Sequence, residues 1–142
     1  MTAKEYLNRV RRQYYVVKQV EQEARDIHND IITIRASSLS EKVSGSKSSD
    51  TADKYIRLER YEDKVIAEAE ELQRMREEAK RRINALPDGQ QQAVLYARYI
   101  NNKRWEEICV EMHYSWKGIF KLHGRALKAF EEVHRSTLNK GV

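Results

Sequence analysis

The sequence predicts an all-α protein, in which a long N-terminal helical hairpin precedes a helix-turn-helix. Apolar residues recur at helical spacing along most of the 142 residues, which include only one proline and five glycines. Charged residues make up 35% of the chain and hydrophobic residues 40%, a balance typical of helices that bury one face and expose the other. Two interruptions of this pattern, at 37–53 and 86–89, divide the chain into its predicted parts.

The first predicted helix covers residues 3–35. Val10, Val17, Ala24 and Ile31 recur every seven residues, and a second apolar row follows three residues later. Because the stretch contains neither proline nor glycine, the heptad pattern predicts one long amphipathic helix.

Residues 37–53 predict a flexible connector between two long helices, because the stretch is rich in serine and poor in apolar residues. A second amphipathic helix is predicted at 54–86, with three candidate N-caps before it: Asp50, Thr51 and Asp53. The apolar stripes of the two helices match, so residues 1–85 are predicted to form a hairpin. The heptads alone leave open whether the stripes pair within one chain or between the chains of a homodimer.

A second domain is predicted at 86–142. The sequence LPDG at 86–89 ends the long helix, and Pro87 or Asp88 opens a shorter helix at 89–100. A turn at 101–104 leads to a helix at 105–112, and the sequence HYS joins that helix to the last one. Ser115 is the predicted N-cap of this last helix, so the pattern is that of a helix-turn-helix.

The two faces of the last helix differ in character. Its predicted inner face consists of Ile119, Leu122, Ala126 and Phe130. Its outer face carries basic, aromatic and glycine residues: Trp116, Lys117, Phe120, Lys121, Gly124 and Lys128, with Gly118 and Arg125 at the margins. Such a face suits the major groove of DNA. A simple αα-hairpin, whose outer aromatics meet another part of the protein, is the alternative.

The positive charge of the chain lies mainly in this region. The net charge is +5, and residues 98–142 hold nine Lys and Arg against five Asp and Glu. A basic bias attracts a phosphate backbone. Many helical proteins without a nucleic-acid partner are as basic, so charge alone does not decide between the two alternatives.

Residues 86–130 resemble region 4 of sigma-70-type RNA polymerase subunits. The matching positions are Leu86-Pro87, Arg98-Tyr99, Glu106-Glu107-Ile108, Ser115, Ile119 and Ala126-Leu127. The chain also has a predicted helical hairpin before this region, and it contains the sequence segments RYINNKRWEEI and KLHGRALKAF. In these features it is similar to late-transcription regulators of the ArpU/RinA type, which phages and prophages of Gram-positive bacteria encode. The resemblance implies binding to double-stranded DNA and activation of late genes, and it leaves contact with host RNA polymerase open.

The predicted DNA-binding residues are Arg104, Ser115, Trp116, Lys117, Gly118, Phe120, Lys121, His123, Arg125 and Lys128. For His123 the sequence leaves two roles open, contact with phosphate and packing within the protein. Sigma recognition helices carry charged residues where Trp116 and Gly118 stand and an acidic residue where His123 stands. The resemblance therefore does not extend to the DNA sequence that is read.

No enzyme is expected, since the sequence has no phosphate loop, nucleophile elbow or catalytic carboxylate pair. Cys109 and His113 have a metal-compatible spacing but lack a third ligand, so neither a metal nor another cofactor is expected. No apolar run could span a membrane and the N-terminus lacks a signal-peptide segment, which predicts a soluble, intracellular protein. The resemblance to phage regulators implies that this compartment is the cytoplasm of a bacterial host.

Two other functions compete with transcription regulation. A DNA-packaging factor similar to a small terminase subunit would also join a helix-turn-helix to oligomerising helices. A coiled-coil adaptor would instead use the C-terminal end to bind RNA polymerase rather than DNA.

Overall fold

The computed structural model describes residues 1–40 and 46–140, and it consists of five α-helices. These are α1 (Ala3–Ser40), α2 (Ser46–Asn84), α3 (Gly89–Leu95), α4 (Trp105–Met112) and α5 (Trp116–Lys140), with a π-helical turn (Tyr96–Ile100) directly after α3. These two described stretches contain no strand, so the all-α prediction is confirmed. None of their helices is both long and apolar enough to cross a bilayer.

The two long helices extend further than the sequence pattern predicted. Residues 37–40 belong to α1 and residues 46–53 to α2, so the predicted helix bounds at 35 and 54 are wrong, while the flexibility of the connector stays a prediction. The centre of the predicted connector, residues 41–45, lies outside the described residues. Serine costs a helix less than about 0.7 kcal/mol per residue, so a Ser-rich sequence does not by itself end one. The three predicted N-caps lie inside α2, because this helix already begins at Ser46.

The contacts divide the chain elsewhere than at the predicted boundary after residue 85. One compact unit comprises Met1–Tyr14 and Leu72–Val142, and the other comprises Tyr15–Glu71. Both α1 and α2 therefore contribute one end to each unit. The C-terminal helices share their unit with residues 1–14, which the sequence assigned to a separate domain.

The core of the first unit takes side chains from every helix. Its fully buried members include Leu7 of α1, Ile83 of α2, Leu95 of α3, Ile108 of α4 and Phe130 of α5. Such a core loses apolar contacts if any one helix is removed.

Within this unit α1 and α2 run antiparallel. The Tyr6 hydroxyl donates to Glu78 Oε1 at 3.1 Å, and the Arg82 guanidinium lies 4.6 Å from the centre of the Tyr6 ring. Eight residues later along α1, Tyr14 meets Arg76, which precedes both Glu78 and Arg82 in α2. The order of contact partners is thus reversed, as expected for two helices that pair within one chain.

The second unit has a smaller apolar cluster of its own. Ile27, Ile31 and Leu58 are buried there, and Ala24 and Tyr61 pack against them. These residues belong to the predicted stripes of both long helices, so the stripes bury each other in this unit as well.

The segment from α3 to α4 follows the sequence prediction with one difference. Asp88 is the N-cap of α3, because its Oδ1 accepts hydrogen bonds from the backbone N–H groups of Gln90 and Gln91 at 2.9 and 3.0 Å. The predicted helix at 89–100 ends in a π-helical turn, which buries Tyr99 and Ile100. The predicted turn at 101–104 is confirmed, and Asn102 there adopts a positive φ of 55°.

Three residues, 113–115, connect α4 to α5. His113 ends α4 in the left-handed conformation with φ of 58°, which lets the chain reverse direction. Ser115 Oγ accepts the backbone N–H of Gly118 at 3.0 Å, so the predicted N-cap is confirmed. The predicted inner face of α5, which comprises Ile119, Leu122, Ala126 and Phe130, is buried as expected.

Candidate nucleic-acid interface

One exposed face of α5 combines positive charge with aromatic surface. We call it the α5 basic face and define it by Trp116, Lys117, Phe120, Lys121, Gly124, Arg125 and Lys128, all of which are exposed. Residues 116–130 contain no Asp or Glu. The face is therefore uniformly positive over its whole length.

The four cations of this face are not neutralised by any ion pair in the part of the chain that the structure describes. Within the described residues, Lys117, Lys121, Arg125 and Lys128 form no ion pair, although Lys103 on the neighbouring loop binds Glu111 at 2.6 Å. Exposed cations at helical spacing repel one another weakly. An arrangement of this kind gains free energy when an anionic partner binds to it.

The two exposed aromatics belong to a row of rings that leads into the core. Trp116 contacts Phe120 with ring centroids 5.0 Å apart, and Phe120 contacts Trp105 at 4.9 Å. Trp105 in turn meets the His123 ring at 4.7 Å, and the Tyr99 ring stacks on that of His123 with centroids 5.8 Å apart. Because each ring rests on the next, the exposed rings are held in place from below.

Trp105 supports the face without having been predicted to do so. It begins α4 and is half-buried, and the Arg98 guanidinium lies 4.8 Å from the centre of its ring. Arg98 also donates to the carbonyl oxygen of Lys103 at 3.1 Å, which ties the π-helical turn to the start of α4. No local spacing in the sequence signals this contact, because Trp105 and Phe120 are on different helices.

His123 lies below the α5 basic face and not on it. Only 9% of its surface is exposed, and its Nε2 is 2.7 Å from the Tyr99 hydroxyl oxygen. Burial lowers its pKa to about 4, and the positive charges of Lys4 and Arg98 act in the same direction. A buried neutral histidine that is already hydrogen-bonded cannot reach a phosphate, so the structure corrects its predicted DNA contact in favour of packing.

The two glycines of the helix differ in their surroundings. A Cβ on Gly118 would lie 3.0 Å from Ser115 Oγ and 3.3 Å from Tyr114 Cδ1, so the tight turn itself favours glycine there. A Cβ on Gly124 would meet nothing within 4 Å. Nothing within the described protein therefore accounts for a glycine in the middle of this helix.

Two other predicted contact residues are already engaged in local interactions. Arg104 is exposed before the start of α4, where its Nε donates to Glu107 Oε1 at 3.0 Å. The Ser115 hydroxyl caps α5. Ser115 directly precedes the α5 basic face, and Arg104 directly precedes Trp105, whose ring contacts Phe120. Arg104 reaches a phosphate only if it exchanges or shares its carboxylate partner.

The residues considered for metal binding do not form a site in this structure. Cys109 is half-buried, with its Sγ 3.9 Å from the carbonyl oxygen of Ser115, and His113 is exposed in the turn. Nowhere in residues 1–40 and 46–140 do three His, Cys, Asp or Glu side chains come together as metal ligands would.

The fold and this face define an all-α protein that presents an unpaired basic helix surface. Its residues 33–131 match the family model described as "Protein of unknown function (DUF1492)", and the chain belongs to that family. No curated protein and no solved structure matches the chain.

Proposed function

We propose that this protein is a sequence-specific regulator of transcription that inserts the N-terminal half of α5 into the major groove of double-stranded DNA. The observation that carries the proposal is the α5 basic face, with its four unpaired cations and no acidic residue. B-DNA has one negative charge per about 1.7 Å of helix axis, so it matches a long, uniformly positive helix face.

The path of the chain around α5 supports the same proposal. A short helix, a three-residue turn and a second helix packed against the first form the layout of a helix-turn-helix. In that layout the N-terminal residues of the second helix contact base edges, and the first helix crosses the DNA backbone. Here those N-terminal positions are Trp116, Lys117, Phe120 and Lys121.

The resemblance of residues 86–130 to sigma-70 region 4 adds the biological context to this proposal. Together with the preceding long helices, it supports a late-gene activator of the ArpU/RinA type, encoded by a phage or prophage and active in the host cytoplasm. Contact with host RNA polymerase belongs to the same proposal, since region 4 is part of a polymerase subunit.

A protein-binding adaptor is the second candidate, and one observation on α4 favours it. Val110 is 75% exposed, the highest value among the exposed large hydrophobic residues of the described chain. It lies between Glu107 and Glu111 on a surface that a phosphate backbone would not attract. A partner with basic and apolar groups would fit this surface of α4.

A charge-matched comparison tests DNA binding by α5. Duplexes are first selected from a random pool by the full chain at fixed salt, and their affinity is then measured as a function of salt. Lys117→Ala combined with Lys121→Ala should lower affinity and reduce the salt slope by up to about two units, because each lost phosphate contact is worth about 0.9.

The control removes two positive charges from the second compact unit. Lys18 pairs there with Glu21 at 3.7 Å, and Lys64 lies 4.9 Å from the centre of the Tyr61 ring. Lys18→Ala with Lys64→Ala should keep the wild-type slope. Equal affinities and slopes for all three proteins would show that α5 does not bind DNA, and the adaptor function would replace the regulator.

A further inference from the structure

The α5 basic face carries more apolar surface than phosphate binding requires. Trp116 is 55% exposed and Phe120 is 38% exposed, at the same end of the helix as Lys117 and Lys121. Apolar surface left in water is unfavourable by about 25 cal/mol per Å². The partner of this face should therefore offer apolar groups among its negative charges.

The two rings form a ridge with a fixed shape. Phe120 lies between Trp105 and Trp116, and the planes of Trp116 and Phe120 meet at 81°. Trp116, Phe120 and Gly124 follow one another at intervals of four residues, so they lie along one stripe of the helix. The first two turns of this stripe thus carry aromatic rings, and the third turn carries only Gly124. We call this third turn the bare turn, since a Cβ on Gly124 would have nothing within 4 Å.

In the major groove, a thymine offers an apolar group that lies close to negative charge. Its C5-methyl group is the apolar group that the four bases display there, while the phosphates on both sides supply the negative charge. A helix-turn-helix brings the first turns of its second helix to the base edges. Those are the turns that carry the two rings.

We infer that Trp116 and Phe120 recognise thymine methyl groups, so that the preferred site is rich in thymine where the start of α5 contacts the DNA. This inference rests on the proposed binding of duplex DNA. The edge-to-face arrangement of the rings distinguishes it from base stacking, since two rings at 81° do not offer parallel faces to successive unpaired bases.

The experiment uses the full chain and the duplex that it selects from a random pool. The duplex is synthesised with thymine and again with deoxyuridine, which pairs identically but lacks the methyl group. Affinities for both are measured with the wild type, Trp116→Ala, Phe120→Ala and the control Val133→Ala. Val133 is also exposed on α5, but helical spacing places it on the opposite side from Phe120.

The wild type and Val133→Ala should bind the thymine duplex more tightly, by about fourfold for each methyl group that is contacted. This factor corresponds to the roughly 0.8 kcal/mol gained on burying one such group. Trp116→Ala and Phe120→Ala should each bind DNA with a thymine-to-deoxyuridine ratio that is lower by about fourfold for each methyl group that the lost ring contacts. Thermal melts check that the variants are folded, and Trp116→Ala alone decides the test if Phe120→Ala unfolds.

The other outcomes separate the inference from the proposed function. If the wild type selects and binds duplexes but does not distinguish thymine from deoxyuridine, the methyl inference is wrong and DNA binding stands. The inference is also wrong if single strands of the same sequence bind as tightly as the duplex and without a methyl effect. If the wild type binds no DNA at low salt, both the proposed function and the inference fall.

Discussion

The Tyr99 hydroxyl oxygen and His123 Nε2 lie 2.7 Å apart and share a buried hydrogen bond beneath the α5 basic face. Burial raises the pKa of Tyr99 to about 12, although the charges of Arg98 and Arg11 oppose the shift. Burial also lowers the pKa of His123 to about 4. Both side chains are consequently neutral at physiological pH, and they join the π-helical turn to α5 without placing a charge in the core.

The protein should lose stability as the pH falls from about 6.5 towards 4. In the unfolded chain His123 binds a proton near pH 6.5, whereas in the folded chain burial holds its pKa at about 4. Between these values the unfolded state carries the additional proton, so acid favours unfolding. Denaturant titrations at several pH values should show the free energy of unfolding decrease through this window.

The matched variant for this prediction is His123→Gln, which is polar but does not titrate. It should be less stable than the wild type at pH 7 and should show a smaller decrease between pH 7 and pH 5. Carboxylates titrate mostly below that range, so the difference in slope reports His123. Identical slopes would mean that this histidine is not buried in the neutral form.

The sequence predicted the two helices on either side of the turn at 113–115 because the features that define them, apolar spacing and the N-cap, are local in the sequence. The spacing of Ile119, Leu122, Ala126 and Phe130 defines one face of α5, and Ser115 is the residue type that caps a helix at that place. These features depend on neighbours within a few turns. For this reason their positions agree with the structure almost residue by residue.

The features that the sequence missed depend on partners far away in the chain. For His123 the sequence left phosphate contact and packing both open, because its partners Tyr99 and Trp105 lie on other elements. The heptads of α1 likewise predicted an apolar stripe, and Leu7 lies near the start of this helix. They could not show that Leu7 joins the core around Phe130 and not a separate hairpin.

Removing the cap of α5 should destabilise the protein without removing any apolar contact. Ser115→Ala deletes the hydroxyl that accepts the N–H of Gly118 at 3.0 Å, a change that costs about 0.5–2 kcal/mol at helix N-termini. Ser115→Asp should retain most of the stability, since a carboxylate also accepts from this N–H. Equal unfolding free energies for Ser115→Ala and the wild type would show that the cap contributes nothing.

Leu7→Ala should destabilise the C-terminal helices although it lies near the other end of the chain. Leu7 is fully buried in the core of the first unit, and deleting such a side chain costs about 2–5 kcal/mol. Trp105 and Trp116 are the two tryptophans of the chain, and both belong to this unit. Their fluorescence during denaturant unfolding therefore measures the effect.

The control for Leu7→Ala is Ile32→Ala, at a position that is 52% exposed in the second unit. This change should alter stability by no more than about 0.5 kcal/mol. If residues 1–85 and 86–142 instead fold independently, Leu7→Ala will leave the tryptophan transition at the wild-type denaturant concentration. That result would favour the boundary predicted from the sequence.

The same substitution at the two glycines of α5 should have different effects on stability. Gly124→Ala places its methyl group in open space, so it should gain up to about 1 kcal/mol from the higher helix propensity of alanine. Gly118→Ala brings its methyl group to 3.0 Å from Ser115 Oγ and 3.3 Å from Tyr114. The crowded turn should offset the gain, so this variant should melt at a lower temperature than Gly124→Ala.

Gly124→Ala should lower DNA affinity although it raises stability. In the proposed complex the bare turn at Gly124 adjoins the DNA, and a methyl group there would hold the backbone of α5 away from it. Affinity for the selected duplex should then fall even though the melting temperature rises, a combination that loss of folding cannot produce. A variant that is both more stable and equally tight in binding would show that DNA does not approach α5 at this turn. The contact would then be confined to the residues around Phe120.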